Sequence, residues 1–161
     1  MKKYLSCAAF ALCSLISCQA FAQGTAKPEM ADKPPMPTPT MPTADLYKTF
    51  GEKPGLTKLM DDFMVRLLAD TRTGPHFKPA NQQRVKEQLV EQFCQVTGGP
   101  CIYKGADMKT AHGNSDIKKS DFNALVELLQ QSMDAQGIPF RAQNQLLAQL
   151  APMHREVITV R

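Results

Sequence analysis

The sequence has few of the signatures that mark a catalytic protein. No Cys-x-x-Cys-His occurs, which excludes a c-type cytochrome. There is no nucleophile–base motif and no glycine-rich loop that could cradle a phosphate. Basic residues are neither clustered nor interleaved with aromatics, and the net charge of +4 falls to +2 once Lys2 and Lys3 are set aside with the N-terminal leader. That balance excludes nucleic acid as a partner. No stretch alternates apolar and polar residues in a way that competes as a β-strand. The main apolar run, from Tyr4 to Ile16, falls short of the roughly 20 residues that a bilayer-spanning helix needs.

What that run does resemble is an export signal. Met1-Lys2-Lys3 is a basic start, and Ala20-Phe21-Ala22 offers an A-x-A cleavage site before Gln23, so residues 1–22 read as a secretory signal peptide and the protein as periplasmic. Leu15-Ile16-Ser17-Cys18 gives a rival lipobox-like site, whose use would leave a lipid-modified, membrane-tethered Cys18. Residues 23–43 are rich in proline, with Met30, Met36 and Met41, and show no apolar periodicity; they read as a disordered linker. Thioethers bind Cu(I), but no histidine stands near these methionines. Of the five cysteines, only Cys94 and Cys101 lie beyond the leader. In an oxidising compartment they either bridge across Gly98-Gly99 or remain two buried thiols.

From residue 44 to 161 the pattern is helical throughout. Leu56, Leu59, Met60, Phe63, Met64, Leu67 and Leu68 form a stripe that Pro54-Gly55 opens and Asp70 to Pro75 ends. Val85, Leu89, Val90, Phe93, Cys94 and Val96 form a second, stopped by Gly98-Gly99. Phe122, Leu125, Val126, Leu129 and Met133 form a third, with Ser120 as its expected cap. After Gly137-Ile138-Pro139 a last helix carries Leu146, Leu147, Leu150, Met153, Val157 and Ile158. The expectation is one all-α domain of four substantial helices.

One of the three histidines stands out. His112 follows Met108 by one helical turn, beyond Gly98-Gly99-Pro100 and Tyr103-Lys104-Gly105, with Ile117 and Phe122 after it. The glycines stop the preceding helix and permit unusual backbone angles. A short helix then carries one imidazole, which is a way of aiming it at a metal. By itself, a histidine on an amphipathic segment is more often a satisfied core residue.

The landmarks Leu46-Tyr47, Pro54-Gly55, Asp62-Phe63, Leu68-Ala69-Asp70, Phe77, Gly98-Gly99-Pro100, Tyr103, Gly105, Met108, His112, Ile117, Phe122, Gly137-Ile138-Pro139 and Ala151-Pro152 stand in order. In that series the chain resembles the group I truncated haemoglobins from Leu46 to about Ile158. The resemblance implies a shortened globin, two helices packed over two, that holds haem b (iron protoporphyrin IX). It makes His112 the iron ligand and Phe77 the ring that packs on the haem face, with Phe63 and Phe93 lining the pocket or its tunnel. Val85, Leu89, Tyr103, Met108, Ile117 and Phe122 complete the expected pocket. His154 resembles a histidine that in some members bonds covalently to a haem vinyl group; its other reading is a solvent-exposed side chain. His76 is expected at the pocket mouth.

Departures from the family pattern shape the expected function. Met64 stands where members usually place a tyrosine that donates to bound oxygen, and Leu89 where a glutamine is common. The pocket therefore reads as apolar unless Gln88 or Lys86 swings in. The resemblance implies reversible binding of oxygen, carbon monoxide or nitric oxide, with oxygen bound weakly. Oxidation of nitric oxide to nitrate would also need a reductase or other electron donor as partner. The alternative from another class is a six-coordinate haem protein for electron transfer or redox sensing, with Met64 as the sixth ligand. A third is an apo helical module that binds a protein or Cu(I).

Overall fold

The stripe that begins beside Pro54-Gly55 folds as α2 (Glu52–Ala69), which buries Leu56, Leu59, Met60, Phe63, Met64 and Leu67 and leaves Leu68 half-buried. The computed structural model describes residues 43–160; the leader, Cys18 and the proline-rich segment through Pro42 lie outside the described residues. Within them, α1 (Thr43–Thr49) precedes α2, and the single turn α3 (Gly74–Phe77) follows it. Next come α4 (Gln82–Val96), the short α5 (Met108–His112), α6 (Lys119–Ala135) and α7 (Phe140–Leu150). A 3-10 turn (Ala151–Met153) and α8 (His154–Val157) close the series. No strand occurs among the described residues.

α2 packs against both α4 and α6, and α7 packs against the same two helices, so α2 and α4 form one pair and α6 and α7 the other. This is the two-over-two arrangement expected. The core between the pairs contains Leu59, Met60 and Leu67 of α2, Val90 and Phe93 of α4, Leu129 and Met133 of α6, and Leu146 of α7. Each fully buried leucine contributes about 1.5–3 kcal/mol by leaving water.

Three local features differ from the sequence reading. Ser120 is not the cap of α6: Lys118 is, and its backbone N–H donates to the Asp121 carboxylate at 3.0 Å. Asp at the third helical position serves the same orphan amide that a cap would leave unpaired. The last helix is not continuous, because Pro152 has no N–H to give and the chain tightens into the 3-10 turn before α8. Finally, α6 buries Ala124, Leu128, Leu129, Ser132 and Met133, while Phe122, Leu125 and Val126 are only half-buried. All three line a cavity, as expected for Phe122 alone, and Leu125 also packs against the core.

The turn between α2 and α3 is built on charge. Asp70 accepts from the Arg72 backbone at 2.7 Å and from its guanidinium at 2.9 Å, and Arg72 reaches Glu127 of α6 at 2.9 Å. The Arg72 side chain, with its backbone N–H second, holds the Asp70 carboxyl down at about 2. In an unfolded chain that carboxyl titrates near pH 3.9. Its depressed native value therefore stabilises the fold above about pH 4, and the contribution is lost as pH falls towards 2. Asp70→Asn should lower the melting temperature at pH 6 and match wild type near pH 2; a difference that does not shrink on acidification would refute this assignment.

Candidate functional site

α4 begins at Asn81, whose side chain accepts from the Arg84 backbone N–H at 3.0 Å and so fixes where the helix starts. From there Arg84, Val85, Gln88, Leu89, Gln92 and Phe93 recur at helical spacing and line one cavity. Its volume is about 900 Å³, at the upper end of ordinary ligand pockets. Phe63 contributes from α2, Thr73 from the following turn, and His76 and Phe77 from α3. Phe122, Leu125, Val126 and Leu129 close it from α6, Leu147 and Leu150 from α7. The opposite wall is Tyr103 and Gly105 of the 97–107 loop, then Met108, Ala111 and His112 of α5, with Ile117 beyond.

The loop's path is set at Gly98 and Gly99. Gly98 has φ +85°, a region that glycine enters without penalty. Gly99 lies so close to its neighbours that a Cβ there would sit 2.6 Å from the Tyr47 ring and 2.7 Å from Cys94 Sγ. Cys94, fully buried at the end of α4, is bonded to Cys101, with Cα atoms 5.7 Å apart. Tyr103 then donates its backbone N–H to Gln95 Oε1 at 2.6 Å and its hydroxyl to the Ala106 carbonyl at 2.9 Å. Burial, aided by Asp107, pushes the Tyr103 phenol upward, which keeps it a neutral donor.

Asp107 caps α5 by accepting from the Thr110 N–H at 2.8 Å. That amide, with the Thr110 hydroxyl second, holds the Asp107 carboxyl below the usual range. One turn on, His112 Nδ1 lies 2.8 Å from the Met108 carbonyl oxygen. A carbonyl only accepts, so Nδ1 carries a proton, and in the neutral imidazole the lone pair is then on Nε2. His112 thus combines a place on the cavity wall with a fixed tautomer, the usual arrangement of a metal-ligating histidine. Ile117, just beyond, is pinned by the C-terminal segment: its N–H donates to Thr159 Oγ1 at 2.8 Å, and its carbonyl accepts from Thr159 and Val160.

Of the residues singled out from sequence, Phe63, Phe77, Val85, Leu89, Phe93, Tyr103, Met108, His112, Ile117 and Phe122 all line this cavity. Met64 and His154 do not. Met64 is buried within α2. His154 directs Nδ1 to the Ala151 carbonyl at 2.8 Å, and its ring centroid lies 6.2 Å from that of Phe122. Lys86 lies in a separate groove between α2 and α4, paired with Asp61 at 2.6 Å, whereas Gln88 faces the cavity. His76 lies on the wall 3.5 Å from Asp121, whose carboxyl is held low chiefly by the Lys118 backbone N–H. Sequence reading missed Gln92, which is 9% exposed. Its spacing from Val85 and Leu89 carries the signal, but as a polar residue it stayed outside the apolar stripe.

Comparison with known proteins agrees with this architecture. The family model for bacterial-like globins matches residues 45–159. The group 1 truncated hemoglobin GlbN of Mycolicibacterium paratuberculosis is 32% identical over 116 residues, which cover 72% of this chain and 85% of that one. A group 1 truncated hemoglobin of Tetrahymena thermophila is 27% identical over 93 residues, 58% of this chain and 77% of its own. Among solved structures, the truncated hemoglobin of Tetrahymena pyriformis in its Fe(III) form superposes with a TM-score of 0.67 at 22% identity, over 70% of this chain and 97% of that one. The 2/2 hemoglobin from Synechococcus with covalently attached heme gives 0.66 at 18% identity, over 70% and 97%.

Proposed function

The chain belongs to the bacterial-like globin family, within which its relatives are group 1 truncated hemoglobins, and from that premise we propose that it is an exported protein whose haem reversibly binds a diatomic gas. The cofactor of this family is haem, and the cavity fits it. The walls are largely apolar, one histidine offers a free Nε2, and Arg84 and Asn81 stand among the lining residues as partners for carboxylates. When bound, the haem supplies an iron with one coordination position for a small gas. His112 is the residue that would hold the iron, and its anchored Nδ1 is the observation that carries the reading.

Val85, Leu89 and Phe63 present no hydrogen-bond donor to the cavity. A gas held beside those three side chains gains no hydrogen bond from them, which favours carbon monoxide and nitric oxide over oxygen; the Gln88 amide, which lines the same cavity, is the nearby group that would supply a donor. The electron-carrier alternative needs a second side chain to reach the iron, and Met64 does not line the cavity, while His76 is engaged with Asp121. Export is supported by the basic-then-apolar leader and by the Cys94–Cys101 bond, which persists in oxidising compartments.

The deciding experiment takes the protein from a periplasmic extract and records its visible spectrum as ferric, reduced and carbon-monoxide-treated forms. A five-coordinate reduced form that takes up carbon monoxide supports gas binding; a low-spin reduced form that resists it moves the assignment to electron transfer, and a chain found in neither the extract nor the membrane fraction refutes export. Leu89→Gln places a donor on the wall. Such a bond is worth about 1.5–3 kcal/mol, so oxygen release should slow about tenfold or more in stopped-flow displacement by carbon monoxide. An unchanged rate would mean that Leu89 does not face the gas.

A further inference from the structure

Gln92 is a buried amide in an otherwise apolar part of the cavity wall. Its Nε2 lies 3.7 Å from Met108 Sδ and 3.6 Å from Met153 Sδ. Thr73, the other buried polar side chain on the wall among the described residues, donates in the ordinary way to the Leu67 carbonyl at 2.8 Å. An amide in such a place costs stability unless its protons are met. Here two thioethers meet them, one from α5 and one from the 3-10 turn before α8.

Methionine is unbranched and adaptable, so left alone it does not define a position. One amide that engages both sulfurs removes that freedom and ties α5 and the 3-10 turn to the rigid α4. Met108 is also the residue whose carbonyl fixes the His112 ring. We propose that Gln92 is a positioning residue: it sets the His112 imidazole through Met108, and so governs how firmly the haem is held. The inference rests on the haem reading, but the clamp itself is a property of the chain.

The test compares wild type with Gln92→Met, which keeps an unbranched side chain of similar length and removes both N–H donors. Haemin release is followed by its transfer to an excess of a second apoglobin. The expected result is release about tenfold faster, the low end for loss of a residue that orients a metal ligand. The iron–histidine stretching band of the reduced protein should shift or broaden, which a purely structural substitution would not produce. In the chain without haemin, the Ala111 and His112 amides should exchange faster. Adding Met153→Leu to Gln92→Met should do less than the sum of the two, because both remove the same contact. Wild-type release, band and exchange in a folded Gln92→Met, or additive effects in the double variant, overturn the proposal. Met108→Leu removes one sulfur at similar volume, and a wild-type-like result there overturns it even if Gln92→Met fails to fold. A wild-type chain that takes up no haemin refutes the haem reading instead, and amide exchange then still decides whether the clamp exists.

Discussion

Replacing His112 with alanine is expected to remove the Soret band of the ligated haem and to weaken haemin binding by more than about 100-fold. Loss of a group that merely orients a ligand costs 10- to 100-fold in metal affinity, and His112 is the ligand itself. The fold should survive. His112 is half-buried on the five-residue α5, and none of the core between the helix pairs comes from that helix. The melting temperature of the haem-free variant should therefore stay close to wild type, which separates loss of a ligand from loss of structure. Added imidazole should restore part of the spectrum by occupying the vacated place. His76→Ala is the control: it disturbs the Asp121 contact at the wall but should keep a ligated spectrum. A His112→Ala protein with an unchanged Soret band would transfer the ligand role elsewhere.

The helices and their inward faces were legible because burial is periodic. Leu56, Leu59, Met60, Phe63 and Leu67 recur three and four apart, and the structure buries all of them. Periodicity does not distinguish a wall from a core, however. Leu125 and Val126 read as core residues and also line the cavity, because apolar side chains satisfy either demand. His112 was legible through its setting between two glycines and two apolar walls, together with the family landmarks. Gln92 was not, since a polar residue carries no burial signal until its partners are known, and those partners lie 16 and 61 positions away in sequence. Met64 shows the opposite failure. Its place after Asp62-Phe63 marks it as a pocket residue, yet it is buried without lining the cavity. Alignment fixes a position along a helix; packing around that helix decides which way the side chain faces.

Removing the Cys94–Cys101 bond, by Cys94→Ser with Cys101→Ser, should have the second largest effect. The bond closes a short loop, with a sequence separation of 7. Chain entropy alone then makes it worth about 2.5 kcal/mol. For a folded region of this size that corresponds to a fall of roughly 10 °C in melting temperature. The loss should not be spread evenly. Among the described residues, 100–106 make no backbone–backbone hydrogen bond, and the loop depends on this bond together with the Tyr103 N–H to Gln95 contact. α4, by contrast, keeps its helical bonds and its packing on α2 whether or not the cysteines are joined. The released segment is the one that carries Tyr103 and Gly105 on the cavity wall and leads into His112. Haemin should therefore leave the double-serine variant faster than wild type at 20 °C, well below both melting temperatures, and reductant should have the same effect on wild type. Equal release rates under those conditions would show that the loop holds its place without the bond, and that the cysteines serve stability alone.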